Sequence, residues 1–530
     1  MTDQPMYVVK DSNPEKPKSP QKQNIQAAKI VADTIKSTLG PKGMDKLLVN
    51  SMNEITITND GVTILDELEL QHPIAKMIVE IARTQEDEVG DGTTTAVILA
   101  GELLAKAEKL LDRKIHPTII TKGFLLAAEK ALSLLQEKAT SIDTTDKKQL
   151  EQIVKTAMTG KGAEVAKDVL APIVVEAVLL SKDKRHIAVQ KKVGHPIEES
   201  SIVKGLILDK TKVHADMPSK CDSAKIALLN CPLEIKDTET DAKITITNPS
   251  QMQDFISGEE AMIKKLVDTI VASGANVVFC SKGIDDLAQY FLAKAGILAV
   301  RRMKQSDMEK LAQATGAKIV FDVADLSANA LGLGDVEEIS DDETFIQVSN
   351  TKHSTVATIF VSGGTEHVAD EAVRAVEDAV GDIFSVLKSK KVVCGAGAIE
   401  IALSKDLFTY AKSFPGREQL AVQAFAESLE IVPKTLAENA GLDPIDILTE
   451  LYAEHDKGNV FTGIDILTGK TMDAKKSGIV EPINVKSQAI QSATEVANMI
   501  LRIDDVIATS AEPEPQRPQG GPNVSFPPGM

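Results

Sequence analysis

The residues best suited to chemistry lie at positions 90–95, where Gly-Asp-Gly is followed by three threonines. Apolar residues then recur at helical spacing, at Val97, Ala100 and Leu104, so a helix is predicted to begin at the threonines. The free N–H groups at a helix start attract phosphate, and Asp91 would repel phosphate unless Mg²⁺ lay between them. The segment therefore predicts a magnesium–nucleotide site. An Asx-type turn that only caps the helix explains the same residues equally well.

The composition restricts the class of protein. The chain of 530 residues carries 59 basic and 77 acidic residues, a net charge of −18, which argues against nucleic acid or an anionic membrane as a partner. It has no tryptophan and few tyrosines, so stacking platforms for bases are not expected. Its four cysteines match no zinc or disulfide spacing, and its longest apolar run is too short to cross a membrane. These features predict a cytoplasmic protein of about three domains.

Helical and strand patterns divide the chain into helix-rich ends and a mixed middle. Residues 23–139 and 148–180 have a mostly helical pattern. From about residue 186 to residue 364, short β-branched runs alternate with helical pieces, and then the helical pattern resumes. The predicted fold class is therefore multidomain, α+β and α/β. Residues 1–22 and 511–530 are rich in proline and are predicted to be a mobile segment and a disordered tail.

Three short motifs in the first third of the chain each allow two interpretations. Gly40 and Pro41 follow a helical run and predict an ordinary helix end, or a loop lying along phosphates. The Asn-Asp-Gly at residues 59–61 lies between β-branched runs and predicts a hairpin, with a task for Asp60 at a metal or a water as the alternative. Lys161, in Thr-Gly-Lys-Gly, is predicted to be a solvated turn lysine, with phosphate contact as the alternative. Spacing alone favours the structural interpretation of each.

Motifs near the C-terminal end are similarly ambiguous. Asp378 and Asp382 are four residues apart on a predicted helix, and a solvated charged face is expected. Residues 391–402 resemble a dinucleotide fingerprint, but Glu400 occupies the third glycine position, which argues against a nicotinamide site and leaves a glycine turn that a ligand could approach. Residues 463–471 have one residue too many for a phosphate-binding Walker motif, so a hairpin turn is predicted.

Two capping boxes predict helix starts. Ser306 is followed three residues later by Glu309, and Ser250 by Gln253. His367 is predicted to be a packed or polar helix residue rather than a catalyst, since no nucleophile or metal motif accompanies it.

Taken together, several motifs resemble the group II chaperonins, the family that includes the archaeal thermosome and the eukaryotic cytosolic chaperonin. The resemblance spans about residues 23–507 in order and spacing. The segments that carry it are LGPKGMDKLL, TNDGVTIL, EVGDGTTTAVILAGELL, GGTEHVADE and SQAIQSATEVANMILRIDDVI.

The resemblance implies a three-domain subunit of a stacked double ring. Such a subunit would bind unfolded client proteins and enclose them for folding, driven by hydrolysis of ATP with Mg²⁺. The implied parts are an ATP-binding, mainly helical equatorial domain (23–147 and 400–510), a small intermediate domain (148–216 and 365–399), and an α/β apical domain (217–364) with a helical lid protrusion near 244–258.

The resemblance also implies roles for single residues. Asp91 would hold Mg²⁺, Lys161 would sense the γ-phosphate, and Glu481 would meet the ribose. The catalytic pair Asp60 and Asp378 would position and activate the attacking water, with Asp378 completing the site when its domain swings in. The nucleotide-binding residues are implied to be Gly40, Pro41, Gly92, Thr93, Thr94, Thr95, Lys161, Gly395, Gly397 and Glu481.

Two other classes of function compete with the chaperonin. A small-molecule phosphotransferase would need an acceptor pocket, and the sequence offers no second motif set for one. A scaffold that binds nucleotide without hydrolysing it is disfavoured by the presence of both Asp60 and Asp378.

Overall fold

A computed structural model describes residues 20–50, 52–68, 70–181, 183–234, 249–340, 344–351 and 356–504. Within the helix that begins at Pro249, the side chains of residues 249–252 and 254–256 lie outside this description.

The helices in chain order are α1 Pro20–Lys36, α2 Gly61–Glu67, α3 Pro73–Glu88, α4 Thr93–Asp112, α5 Pro117–Lys138, α6 Lys147–Met158, α7 Lys167–Leu180, α8 Pro249–Ser273, α9 Asp286–Lys294, α10 Gln305–Thr315, α11 Glu366–Ser389, α12 Ala398–Ala411, α13 Arg417–Leu429, α14 Ile431–Asn439, α15 Pro444–Asp456 and α16 Ile483–Arg502. The strands are β1 Lys46–Val49, β2 Ile55–Thr58, β3 Thr140–Ser141, β4 Ile187–Val193, β5 Ser201–Leu208, β6 Lys220–Leu229, β7 Val277–Cys280, β8 Leu298–Val300, β9 Ile319–Val320, β10 Gly332–Ser340, β11 Thr344–Ser349, β12 Ala357–Gly363, β13 Lys391–Cys394, β14 Thr462–Asp465, β15 Lys470–Asp473 and β16 Val480–Pro482.

The two ends of the chain share one hydrophobic core, which we call the terminal helical unit (α1–α5 and α12–α16). The central helix is α4, which packs against α1, α3, α13 and α16. Apolar side chains are buried on several sides of it, as expected for a helix surrounded by others. Phe124 of α5 meets Phe425 of α13 edge to face, with ring centroids 5.9 Å apart. Loops that are hundreds of residues apart in sequence therefore meet at one end of this unit.

The middle of the chain forms a nine-stranded sheet in the order β4-β12-β5-β11-β10-β6-β7-β8, with β9 beside β6. Strands β7, β8 and β9 belong to its parallel part. Successive side chains of β6 face opposite sides: Leu229 shares a core with α8 and α9, and Leu228 shares one with α10. This arrangement confirms the predicted alternation of strands and helices.

Another core, which we call the junction unit, lies along the chain between the terminal helical unit and the large sheet. It combines α6, α7 and α11 with β4 and β12, so it too is built from two separate stretches of chain. Beside it, β13 lies between β16 and β3 in a three-stranded sheet. The chain thus passes through the junction unit on its way out to the large sheet and again on its way back.

The hairpin predicted at residues 56–65 is wrong. β2 pairs with β1, which precedes it, and Gly61 begins α2. Asp60 accepts a hydrogen bond from the N–H of Thr63 and so caps the helix. The pattern allowed either structure, because Asp-Gly suits a turn and an aspartate also suits a helix start.

Other local predictions had mixed outcomes. The hairpin at residues 463–471 is confirmed by β14 and β15. The capping box at Ser306 is wrong, because α10 begins at Gln305 and its N-cap is Lys304. Ser250 lies inside α8.

Several predictions concern residues outside those described. Of the predicted lid at 244–258, residues 244–248 lie outside the described ranges, and the remaining residues belong to α8. The predicted tail, 511–530, also lies outside them. Helix α1 begins at Pro20, within the segment 1–22 that was predicted to be mobile.

Candidate functional site

The loop before α4 points Asp91 into a cavity instead of using it as a helix cap. Gly92 is the N-cap, with a φ of 81°, and no side chain caps the helix, so the Asx-type turn is wrong. Gln85 holds the loop in place, since its Nε2 donates to the carbonyl oxygens of Asp91 (2.8 Å) and Val485 (3.1 Å). The first turn, residues 93–95, lines the cavity with backbone N–H groups that have no acceptor within the helix.

Asp60 reaches the same place from α2. Its Oδ2 accepts hydrogen bonds from the N–H and the hydroxyl of Thr63, and its Oδ1 lies 3.5 Å from the Thr93 hydroxyl. A Cβ at Gly61 would lie 2.6 Å from Thr94 Oγ1, so the glycine lets α2 start directly against α4. One carboxylate oxygen of Asp60 therefore remains for chemistry beside the first turn of α4.

Lys161 connects this end of the terminal helical unit to the junction unit. Its Nζ lies 2.5 Å from Asp378 Oδ2 and 3.2 Å from Asp91 Oδ1. Burial lowers the pKa of Lys161, but the two carboxylates outweigh burial and hold that pKa well above its usual value. Burial likewise raises the pKa of Asp378 to about 7, although Lys161 opposes the rise. The solvated lysine and the solvated acidic face expected from spacing are both wrong.

Helix α11 approaches the Asp91 loop through two glycines. Gly90 has a φ of 97°, and a Cβ at Gly381 would lie 2.8 Å from the carbonyl oxygen of Val89. This contact seats the next residue, Asp382, in the cavity wall. Asp382 is 2% exposed, and its Oδ1 has no hydrogen-bond partner among the described residues. Burial, and then Asp91, raise the pKa of Asp382 well above its ordinary value.

The cavity wall also contains a group of buried charges. Lys486 Nζ lies 2.7 Å from Glu481 and 2.9 Å from Glu400. Burial lowers the pKa of Lys486, but the two glutamates hold it well above its usual value. Burial raises the pKa of Glu481, against the effect of Lys486. A Cβ at Gly395 would lie 2.5 Å from Glu481 Oε1, so that glycine makes room for the glutamate.

The glycine turn before α12 has one residue that is not glycine. Gly397 is the N-cap of α12, with a φ of 76°. Ala396 also adopts a left-handed backbone, with a φ of 55°, which costs about 1–2 kcal/mol for a residue with a Cβ. Its methyl packs close to Gly463, where a Cβ would lie 2.9 Å away. The alanine is therefore accommodated by a glycine on the β14–β15 hairpin.

These elements enclose a cavity of about 720 Å³, a size typical of small-molecule sites. Asp378 and Gly395 do not line the cavity. Each contacts a residue that does: Asp378 accepts a hydrogen bond from Lys161, and Gly395 lies against Glu481. The predicted site residues that line it are Gly40, Pro41, Asp60, Asp91, Gly92, Thr93, Thr94, Thr95, Lys161, Gly397 and Glu481.

Three residues of the site were not predicted from the sequence, Gln85, Gly381 and Lys486, and a fourth, Asp382, was predicted to face water. Asp382 is one helical turn after Asp378, a spacing that puts both on one face. The spacing predicts a charged face that meets water, whereas Asp382 is buried. Nothing local distinguishes Gln85 or Lys486, because their partners come from remote segments.

No group of three or more His, Cys, Asp or Glu side chains within the described ranges is arranged to hold a metal ion. A divalent cation at Asp91 would therefore need ligand oxygens from a bound molecule, as Mg²⁺ commonly does with phosphates.

The fold and the site together define a class of protein: the two ends of the chain share one core and, with the junction unit, they enclose a cavity lined by carboxylates and by the first turn of a helix. The model of the TCP-1/cpn60 chaperonin family matches residues 31–511. The chain belongs to the TCP-1/cpn60 chaperonin family.

Similar proteins agree with this assignment. A thermosome subunit of Methanopyrus kandleri is 55% identical over 500 residues, covering 92% of each chain. Thermosome subunit beta of Methanothermobacter thermautotrophicus is 57% identical, covering 93% of this chain and 92% of its own. Thermosome subunit alpha of Archaeoglobus fulgidus is 50% identical, covering 94% of each.

The predicted resemblance to group II chaperonins is thus confirmed, and with it the multidomain α+β and α/β fold class. The chain is an ATP-dependent chaperonin subunit that hydrolyses ATP and works in an oligomer with other chaperonin subunits. Among the described helices, none is long and apolar enough to span a bilayer.

Proposed function

We propose that the cavity is the Mg·ATP site of this chaperonin subunit and that hydrolysis there drives movement of the client-binding middle of the chain. The observation that carries the proposal is the pair of contacts made by Lys161 Nζ, to Asp91 and to Asp378. They join the loop before α4, the turn after α6 and the middle of α11.

The charges around the first turn of α4 support magnesium. Four carboxyl groups interact electrostatically with Lys161: those of Asp60, Asp91, Asp378 and Asp382. The single positive charge of Lys161 cannot balance four negative charges. Asp91 would hold the cation together with phosphate oxygens. When bound, Mg²⁺ would supply neutralisation of the charge that develops on the transferred phosphate.

The nucleotide contacts follow the cavity from end to end. The N–H groups and hydroxyls of residues 93–95 would bind phosphate oxygens, with Gly40 and Pro41 on the other side. Lys161 would exchange a carboxylate partner for the γ-phosphate. Gly395 and Gly397 would pass close to the nucleotide, and Glu481, held by Lys486, would accept a hydrogen bond from the ribose.

Hydrolysis requires groups from two units. Asp60 belongs to the terminal helical unit and keeps Oδ1 clear of its capping bonds. Asp378 belongs to α11 in the junction unit. We assign to this pair the positioning and activation of the attacking water. Because the pair is complete only while α11 lies against the Asp91 loop, cleavage is coupled to the position of the junction unit.

We propose three domains with the boundaries expected from the sequence: equatorial 23–147 and 400–510, intermediate 148–216 and 365–399, apical 217–364. The separate cores of the terminal helical unit, the junction unit and the large sheet support a division into three, but not the exact boundaries. The β1–β2 hairpin of the equatorial domain is an apolar projection that a neighbouring subunit in a stacked ring would cover. Its exposed large hydrophobic residues are Met44, Leu47, Val49, Met52, Ile55 and Ile57.

Unfolded proteins are the proposed clients, handled in the cytoplasm without nucleic acid or membrane as partners. On the apical domain, Met262 of α8 and Leu287 and Tyr290 of α9 are exposed, and such apolar surface suits a client with exposed hydrophobic segments. A lid near 244–258 would enclose the client.

The test is an ATPase assay on the purified particle combined with its mass by size-exclusion chromatography. A multi-subunit particle whose ATP turnover requires Mg²⁺ and changes when an unfolded protein is added supports the proposal. Turnover that persists in excess chelator would refute the magnesium assignment.

A further inference from the structure

Asp382 is a buried acidic group that the proposed mechanism leaves unused. It is 2% exposed, it lies in the cavity wall, and its Oδ1 is buried without a hydrogen-bond partner among the described residues. A buried carboxylate without a partner costs several kcal/mol unless a cation, a donor or a proton meets it.

The backbone fixes where this carboxylate can reach. Gly381 packs against Val89 and Gly90 with no room for a side chain, so α11 lies directly against the loop that carries Asp91. One turn earlier, Asp378 is tied to Lys161. The Asp382 side chain therefore lies buried in the same cavity wall as Asp91, away from bulk water.

Four of the five lysines that line the cavity are engaged with carboxylates other than Asp382, and the fifth, Lys42, is exposed. Lys161 contacts Asp91 and Asp378. Lys155 pairs with Asp168, Lys167 with Glu164, and Lys486 with Glu400 and Glu481. None of these ion pairs includes Asp382, so the partner that its free oxygen needs is expected to come from a bound ligand.

We propose that Asp382 is a second carboxylate of the cation site, which accepts hydrogen bonds from the water ligands of the nucleotide-bound Mg²⁺ that Asp91 holds. The inference rests on the proposed Mg·ATP site and adds a residue to it. Hydrated Mg²⁺ suits this position, because the ion keeps several waters and uses only one or two protein carboxylates directly. The lack of a ready-made cluster of metal ligands among the described residues agrees with an indirect contact.

The experiment compares Asp382→Asn with wild type in the assembled full-length protein. The affinity for a fluorescent ADP analogue is measured in EDTA, and the affinity of Mn²⁺ for the nucleotide complex is measured by electron paramagnetic resonance. Glu377→Gln is the matched control: it makes the same change on the same helix at an exposed residue outside the cavity wall.

Two opposite changes are expected in Asp382→Asn. Mn²⁺ affinity falls about tenfold, as is usual when an outer partner of a metal is removed. Nucleotide affinity in EDTA stays the same or rises, because a negative charge near the phosphates is gone. Damage to the site would instead weaken both. The control variant should match wild type in both measurements.

A Mn²⁺ affinity equal to that of wild type would overturn the inference and identify Asp382 as a neutral buried acid. Parallel loss of both affinities would also overturn it. If Mn²⁺ binds the wild-type nucleotide complex no more tightly than it binds free nucleotide, the proposed magnesium site fails, which is a different outcome. Should Asp382→Asn not assemble, Asp382→Ser, which leaves space for water, is measured in the same way with the same expectations.

Discussion

Asp378→Asn tests whether α11 supplies a catalytic group. The substitution removes the negative charge and keeps the shape of the side chain, which is 15% exposed and 2.5 Å from Lys161 Nζ. The amide oxygen can still accept a hydrogen bond from Lys161, so the contact between α11 and the turn after α6 is expected to persist.

The magnitude follows from the two roles that the charge could have. Loss of a group that activates or positions water lowers the rate about 10²–10⁴-fold. At about 1.4 kcal/mol per factor of ten, the barrier rises by about 3–5 kcal/mol. Nucleotide binding should change little, because Lys161 keeps Asp91 at 3.2 Å and, with one carboxylate fewer, meets phosphate more readily.

The assay separates these effects by measuring kcat for ATP hydrolysis and Kd for nucleotide in the same preparation. Glu377→Gln, the preceding and exposed acid on α11, serves as the control and should retain wild-type kcat. A kcat for Asp378→Asn equal to that of the control would refute the catalytic role. A parallel loss of nucleotide affinity would show that Asp378 only supports the binding site.

Two further variants test the parts of the site that hold these residues in place. Lys486→Met leaves Glu400 and Glu481 buried without their cation, so it should lower the free energy of unfolding by about 3–5 kcal/mol. Denaturant titration measures this change, and an unchanged midpoint would contradict the structural importance of the three charges. Gly381→Val puts a Cβ about 2.8 Å from the carbonyl oxygen of Val89 and should separate α11 from the Asp91 loop. ATP turnover should then fall while the circular dichroism spectrum remains native. Full activity would show that this close approach is not needed.

Periodicity predicted much of the fold because it depends on local pattern. The helix that starts at Thr93 and the β-α-β alternation of the middle are both confirmed. The hairpin at residues 56–65 failed because Asp-Gly suits a turn and an aspartate also caps a helix; burial of the apolar residues after Gly61 decided in favour of α2.

Local sequence pattern predicted less of the site than of the fold. Spacing put Asp378 and Asp382 on one helix face, but it did not show that this face meets the loop before α4, so water was expected there. The contact depends on Gly90 and Gly381, which lie almost 300 residues apart in the numbering. The predicted ligand residues came instead from the resemblance of whole motifs to a family, and Lys486 was missed because its partners belong to other segments.

The most direct test of the central claim is a structure of the assembled particle with Mg²⁺, ADP and a fluoride mimic of the γ-phosphate, determined by cryo-electron microscopy. We expect the nucleotide along the cavity, the cation at Asp91, and the phosphate mimic in contact with Lys161, with Asp60 and Asp378 both facing it. Nucleotide bound elsewhere, or Asp378 turned away from the mimic in the closed particle, would contradict the account.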